Sequence, residues 1–277
     1  MDFICTRSGA KKIGAARAVL SGASDSGYYV PETLPRVTKS DLEYLCDCDY
    51  AERAAFVMKL FFAELGDETI ENICTEAAGR FERDDPAPLV CLEDDEYILE
   101  LFHGKSGSQA DINAAFLIPL ICESAVKAGL DPDKICLLAF GADEGAAMIS
   151  EAKKSPISHV IAVFDGEKTS MIQRKQLAEL SSEGFEAIEI PEELNERIKE
   201  KVFCCGSEKK LVPTGTENIA TAIIETVNFI SAYCDVVNSG AIGLGDEINF
   251  AMPCGDLTNL LACKYARQMG VPIKKIV

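Results

Sequence analysis

The groups that could do chemistry in this chain stand at three glycine-bearing turns, each placed where a strand-like run gives way to a helical pattern. In "YILELFHGKSGSQADINAAF", Tyr97 to Phe116, an apolar run meets a His103-Gly104 turn and then becomes a helix. His103 at that strand end reads equally as a pocket contact or a local hydrogen-bond partner. In "LLAFGADEGAAM", Gly141 is followed by Ala142, Asp143 and Glu144, and Asp143 reads as a helix N-cap. In "CGDLTN", a helix starting after Gly255 would offer free N–H groups to an anion. Asp256 opposes that use, because its carboxylate repels an anion and can itself satisfy the same N–H groups as a cap.

The elements around these turns predict the fold class. Residues 1–95 read as mostly helical. "KKIGAARAVLSG" is amphipathic, "TKSDLEYL" begins with an acidic capping box, and "YAERAAFVMKLFFAEL" and "DETIENICTEAAGRF" are further helices. "ERDDPAPLVCLEDDEY" is polar and proline-bearing and reads as a linker. From residue 96 to 277 the rhythm changes. "YILELF", "KICLLAF", "HVIAVF", "EAIEI", "EINFAM" and the final "VPIKKIV" alternate with helical stretches. Short Val/Ile/Leu/Phe runs between amphipathic helices predict an α/β domain with a parallel sheet covered on both faces. Ligand sites in such folds lie at the carboxyl ends of the strands, where the turns fall.

Composition narrows the function classes. The 277 residues carry a formal net charge of −18, the wrong sign for nucleic acid. No run of about eighteen apolar residues is present, and "MDFICTRSGAKK" has no apolar signal core, so a cytoplasmic protein off the membrane is expected. The twelve cysteines lack C-x-x-C spacing and only two histidines are available, His103 and His159, so no metal site is expected. Cysteines in apolar segments behave as small buried hydrophobes.

An ordered series of motifs resembles the threonine synthase family. "CTRSGA" at 5–10 resembles its S-T-R-G start, and "VLSGASDSGYYVPETLP" at 19–35 resembles its G-L-A-x-D-G-G-L-Y-V-P-x-x-L-P. "LELFHG" at 99–104, "SMIQRKQL" at 170–177 and "NFAMPCGDLTNLLACKYARQMGVPI" at 249–273 follow in the family's order, so the resemblance covers nearly the whole chain. It implies a three-layer fold of the pyridoxal-phosphate (PLP) fold type II, tryptophan-synthase β-like kind, preceded by a helical N-terminal domain. It also implies amino-acid biosynthesis by a lyase: O-phosphohomoserine loses phosphate and takes up water to give threonine.

Laid on the family's H-G-P-T-x-A-F-K-D, His103, Gly104 and Asp111 match, but Ala110 falls where the PLP-binding lysine stands. PLP chemistry needs that primary amine. Lys105, five residues upstream, is the nearby substitute, with a solvated surface lysine as the plainer reading. The family's phosphate loop G-N-F-G-N is here Gly255, Asp256, Leu257, Thr258 and Asn259. Its T-S-G-D-T-G-S loop is here Ala139, Phe140, Gly141, Ala142, Asp143, Glu144 and Gly145, without the hydroxyls. In its S-I-N-x-x-R motif Asn218 matches, while Thr221 replaces the arginine. Gln173 and Gln176 read as pocket amides or helix-surface residues.

These departures predict a non-catalytic homologue acting through interaction or small-ligand binding. PLP is the cofactor by resemblance, expected not to be covalently bound, with no bound cofactor as the alternative. An active enzyme using Lys105 is the alternative. A small amino-acid-like ligand is the expected partner. The family pattern continues past "MGVPIKKIV", so a C-terminal part of its fold is expected to be missing, with a protein partner or a second copy covering that side.

Overall fold

The computed structural model describes residues 1–277 except 8–11, 22, 25–26, 94, 192, 196, 200, 202–210, 254 and 256. Gly22, Asp25, Asp256, the cysteine pair 204/205 and Cys254 therefore lie outside the described residues.

The N-terminal segment begins with a sheet that the helical reading did not anticipate. Strands β1 (Asp2–Cys5), β2 (Lys12–Gly14), β3 (Ala23–Ser24) and β4 (Gly27–Pro31) pair antiparallel in the order β2-β1-β4-β3. Strands of two to five residues are too short to show an alternation. The helix expected from "KKIGAARAVLSG" is shorter than its pattern: Lys12–Gly14 joins the sheet and α1 spans Ala15–Ser21. The remaining helices follow their signals. Helix α2 (Lys39–Cys46) starts with a capping box in which Thr38 and Asp41 each accept from the other's backbone N–H. Helix α3 (Tyr50–Phe62) starts with the same device between Asp49 and Glu52, and α4 (Asp67–Ala78) follows.

The stretch read as a linker contains a hairpin. β5 (Leu89–Glu93) pairs antiparallel with β6 (Glu96–Leu99); its apolar Leu-Val-Cys-Leu run is mostly exposed, and the polar character of the stretch comes from the residues that flank it. Beyond it the expected alternation holds. Helix α5 (Ala110–Lys127) precedes β7 (Cys136–Phe140), α6 (Ala142–Ala152), β8 (His159–Phe164), α7 (Met171–Leu180) and β9 (Phe185–Glu189). A short strand, β10 (Leu211–Pro213), completes an all-parallel sheet in the order β10-β7-β8-β9. Two late strands do not join it. β11 (Ile248–Phe250) and β12 (Ile273–Ile276) pair with each other in parallel, with α9 (Thr258–Met269) between them in sequence, so the terminal strand has a partner of its own.

Helix α8 (Ile219–Asn238) joins the two halves. It is long and apolar enough to cross a membrane, but its apolar window is 94% buried inside the protein, as in the core helix of a fold. Helices α2, α3, α5 and α9 all pack on it, and one hydrophobic cluster extends from Phe3 to Ile273. Its polar residues choose their partners. Asn228 accepts from the Tyr50 hydroxyl at 2.6 Å. Arg53, 4% exposed, donates to the Leu45 carbonyl at 2.9 Å, to Ser231 Oγ at 2.7 Å and to Asp235 Oδ1 at 2.7 Å.

Breaking that last pair leaves a buried guanidinium short of its counter-charge, which costs more than surface ion pairs gain. Asp235→Ala is expected to lower stability by about 2–4 kcal/mol. In urea denaturation the midpoint should fall with the slope unchanged. A midpoint within error of the parent's would show that Arg53 does not depend on Asp235.

Candidate functional site

The carboxyl ends of β7 and β8 and the N-termini of α5 and α6 surround a cavity of about 480 Å³. Helix α5 contributes Ala110 and Asn113, preceded by Ser108 and Gln109. The end of β7 contributes Phe140, the turn Gly141, and the start of α6 Ala142, Asp143 and Glu144. The turn after β8 contributes Asp165, Lys168 and Thr169, with Gln173 on α7. Helix α8 contributes Thr221 and Glu225, and the start of α9 contributes Thr258 and Asn259.

The fold thus brings together most of the positions singled out in the sequence, but not all. Ala139 is fully buried within β7 and does not line the cavity. Lys105 is exposed and absent from the lining. His103 is also absent from it; its Nε2 lies 2.7 Å from Glu100 Oε2, the local partnership that a strand-end histidine suggested. Gly255 is exposed. Leu257, 56% exposed, faces a neighbouring cavity of about 510 Å³ together with Asn218, Thr6 and Tyr28.

One capping expectation is corrected, while the cap expected of Asp256 lies outside the described residues. The N-cap of α6 is Gly141; Asp143 lies inside the first turn and accepts from Gln173 Nε2 at 2.6 Å. That contact makes Gln173 a cavity residue, not a surface one, while its own Oε1 and N–H close a capping box with Ser170. The N-cap of α9 is Leu257, with φ 68° and no side-chain cap. It is the one non-glycine residue with positive φ among the described residues, a conformation costing about 1–2 kcal/mol.

Several matching residues hold backbone. Gly104 is required by Asp111: a Cβ at 104 would lie 2.2 Å from Asp111 Cβ. Asp111, 8% exposed, accepts from the Ser106 N–H at 2.8 Å and the Ser106 hydroxyl at 2.7 Å, and so fixes the turn before α5. Asn218, 1% exposed, caps α8 by accepting from Ala220 N–H at 3.1 Å. Its Nδ2 donates to the carbonyls of Val19 and Pro213, both at 2.9 Å. The residue placed in a substrate loop by resemblance is a clamp between α1, β10 and α8.

The cavity is acidic. Asp143, Glu144, Asp165 and Glu225 line it, against Lys168 as the one lysine or arginine among the described lining residues. Glu144 accepts from the Thr214 hydroxyl and lies against Gly215, where a Cβ would fall 1.9 Å from Glu144 Oε2. Asn259 and Gln109 exchange two amide hydrogen bonds, at 3.0 and 2.9 Å, across the cavity floor. Sequence reading missed Asn113, Asp165, Lys168 and Glu225. Glu225 had a signal, as an isolated carboxylate within the apolar run "IATAIIETVNFI".

Burial disfavours the thiolate at Cys74, Cys122 and Cys263. Desolvation pushes Cys74 and Cys263 up to about 12 and Cys122 up to about 11, so they stay protonated near neutrality. Among the described residues no group of three His, Cys, Asp or Glu side chains is placed to hold a metal.

Comparisons with known proteins agree with this layout. The family model "Threonine synthase N terminus" matches residues 2–78. Threonine synthase of Pseudomonas aeruginosa is 28% identical over 288 residues, covering all of this chain and 59% of that protein. Human threonine synthase-like 1 is 28% identical over 295 residues, covering 95% of this chain and 38% of that protein. The chain is thus similar to threonine synthases in sequence. The crystal structure of Escherichia coli threonine synthase superposes with a TM-score of 0.85 at 20% identity, over the whole chain and 63% of that structure. The PLP-bound threonine synthase of Brucella melitensis gives 0.84 at 24%, over the whole chain and 60% of that structure. At these identities the structures establish the α/β fold. This threonine-synthase-like chain thus spans about 40–60% of the length of the relatives described.

The clamp gives a direct test. Asn218→Ala removes a cap and leaves two buried carbonyls without their donor, at a cost of about 2–4 kcal/mol. Thermal denaturation should show a fall of several degrees. A variant as stable as the parent would mean that Asn218 holds nothing together.

Proposed function

We propose that this threonine-synthase-like chain is a non-catalytic homologue whose cavity binds a small amino-acid-like ligand without a covalent bond. The observation that carries the reading is the placement of Ala110. The position that the resemblance assigns to the PLP lysine lines the cavity, and it has no side-chain nitrogen.

The described residues do not fit a PLP group held in the family's way. The amine is absent at position 110. Asn259, at the end of the altered phosphate loop, has its amide committed to Gln109. A phosphate dianion would enter a cavity lined by four carboxylates and one lysine, and partial burial strengthens the repulsion. Lys105, the substitute suggested by sequence, is exposed and outside the lining. No catalytic step is assigned to the cavity. Its walls remain suited to binding: backbone at two helix starts, side-chain amides, hydroxyls and fixed carboxylates, at a size that accepts a small polar molecule.

The test is to add PLP to the purified chain, reduce with borohydride and map adducts by mass spectrometry, alongside phosphate release from O-phosphohomoserine. The expected result is no visible aldimine band, no site-specific adduct and no phosphate above the no-protein control. A stoichiometric PLP adduct on one lysine, Lys168 or Lys105 included, together with phosphate release, would overturn the proposal.

A further inference from the structure

The wall beside Ala110 is made of acceptors. Asn113 stands one turn after Ala110 on the same face of α5. Thr221 and Glu225 stand one turn apart on α8, and all four residues line the cavity. Asn113 Nδ2 donates to Glu225 Oε1 at 2.9 Å. A carboxylate can only accept, so the amide orientation is fixed and Asn113 Oδ1 is left over as an acceptor.

That oxygen has no partner in the protein, and neither has Thr221 Oγ1, although Asn113 is 8% exposed and Thr221 only 1%. Orphaned polar oxygens at such burial are costly, and native proteins rarely keep them without a ligand or water. The surrounding field has a definite sign. Asp143 and Glu144 are engaged by Gln173 and Thr214, respectively, and together with Asp165 and Glu225 these carboxylates outnumber Lys168 in the lining.

We infer that the space beside Ala110 is a subsite for the primary ammonium group of a small ligand, which brings the amine that the chain lacks at this position. A primary ammonium has three donors and no acceptor. It matches Asn113 Oδ1, the Thr221 hydroxyl as acceptor, and the Glu225 carboxylate, which supplies the counter-charge. A neutral alcohol could satisfy at most one of these oxygens by donation, and an anion none. The inference deepens the proposed function, since it requires a cavity free of covalent PLP, and it names the chemical class of the ligand.

The experiment uses ethylamine as probe, with tetramethylammonium and 1-propanol as controls, read by thermal shift and isothermal calorimetry at physiological salt. Ethylamine should raise the melting temperature saturably. Tetramethylammonium, charged but without N–H donors, and 1-propanol should not. Thr221→Val should weaken ethylamine binding about tenfold, the loss of one hydrogen bond to a charged group. Ala110→Lys should melt above Ala110→Met, because the tethered ammonium reaches the same oxygens, and it should no longer respond to ethylamine. No response to ethylamine in the parent protein, an equal response to tetramethylammonium, or Ala110→Lys melting below Ala110→Met would each overturn the inference. The parent titration stands even if a variant fails to fold. A PLP adduct in the separate labelling experiment would sink the non-catalytic reading. A missing ethylamine response without any adduct would sink the ammonium subsite alone.

Discussion

The constraint on which the rest depends is the burial of helix α8 with its polar side chains attached. A helix sealed on all sides could be wholly apolar, but this one carries Thr221, Glu225, Thr226, Asn228 and Ser231 into the interior. Each buried polar group must find a partner or lose about 1–3 kcal/mol. Those partners come from distant parts of the chain: Tyr50 and Arg53 on α3, Asn113 on α5 and the Ala262 carbonyl on α9. Apolar packing alone would tolerate a slide or rotation of the neighbouring helices. These hydrogen bonds set their register, and Asn218 fixes the helix start against α1 and β10.

The site follows from the same helix. Its Thr221–Glu225 face forms one wall of the cavity, and the strand ends of the parallel sheet form another. Where α8 finds a partner, as Glu225 does in the Asn113 amide, the wall is tied to α5. Where it does not, as at Thr221, an unsatisfied oxygen is left in the wall. The chemical character of the cavity is therefore a by-product of how the core closes around one helix. It carries oxygen acceptors and carboxylates at places where anion binding would demand donors.

Much of the fold was legible because its signals are local. Capping boxes at Thr38 and Asp49 need only three-residue spacing, and β7 and β8 are apolar runs bounded by turns. What could not be read was short or long-range. β3 and β10, of two and three residues, carry no periodicity. The hairpin of β5 and β6 is hidden because its short apolar runs lie among acidic and proline residues. The pairing of β11 with β12, away from the main sheet, depends on where α9 packs. The same division holds at the site. Motif positions such as Ala110 and Phe140 were readable, but the bonds between Asn113 and Glu225, 112 residues apart, and between Gln109 and Asn259, 150 apart, are created only by the fold.

Six of the positions compared with the threonine synthase pattern divide along a physical line. Gly104, Asp111 and Asn218 match, and each has a task that involves backbone or close packing in this chain whatever the cavity holds. Gly104 makes room for Asp111, Asp111 ties the Ser106 turn, and Asn218 joins three elements through carbonyls and an N–H. Ala110, Phe140 and Thr221 depart, and all three line the cavity. Changing a residue of the first kind removes a partner from buried backbone and costs stability directly. A change of the second kind alters only what the cavity can hold, provided the new side chain fits. A fold can therefore keep a family's outline while its cavity changes chemistry, because the two sets of residues answer to different forces: one to the hydrogen-bond needs of a buried chain, the other to a ligand.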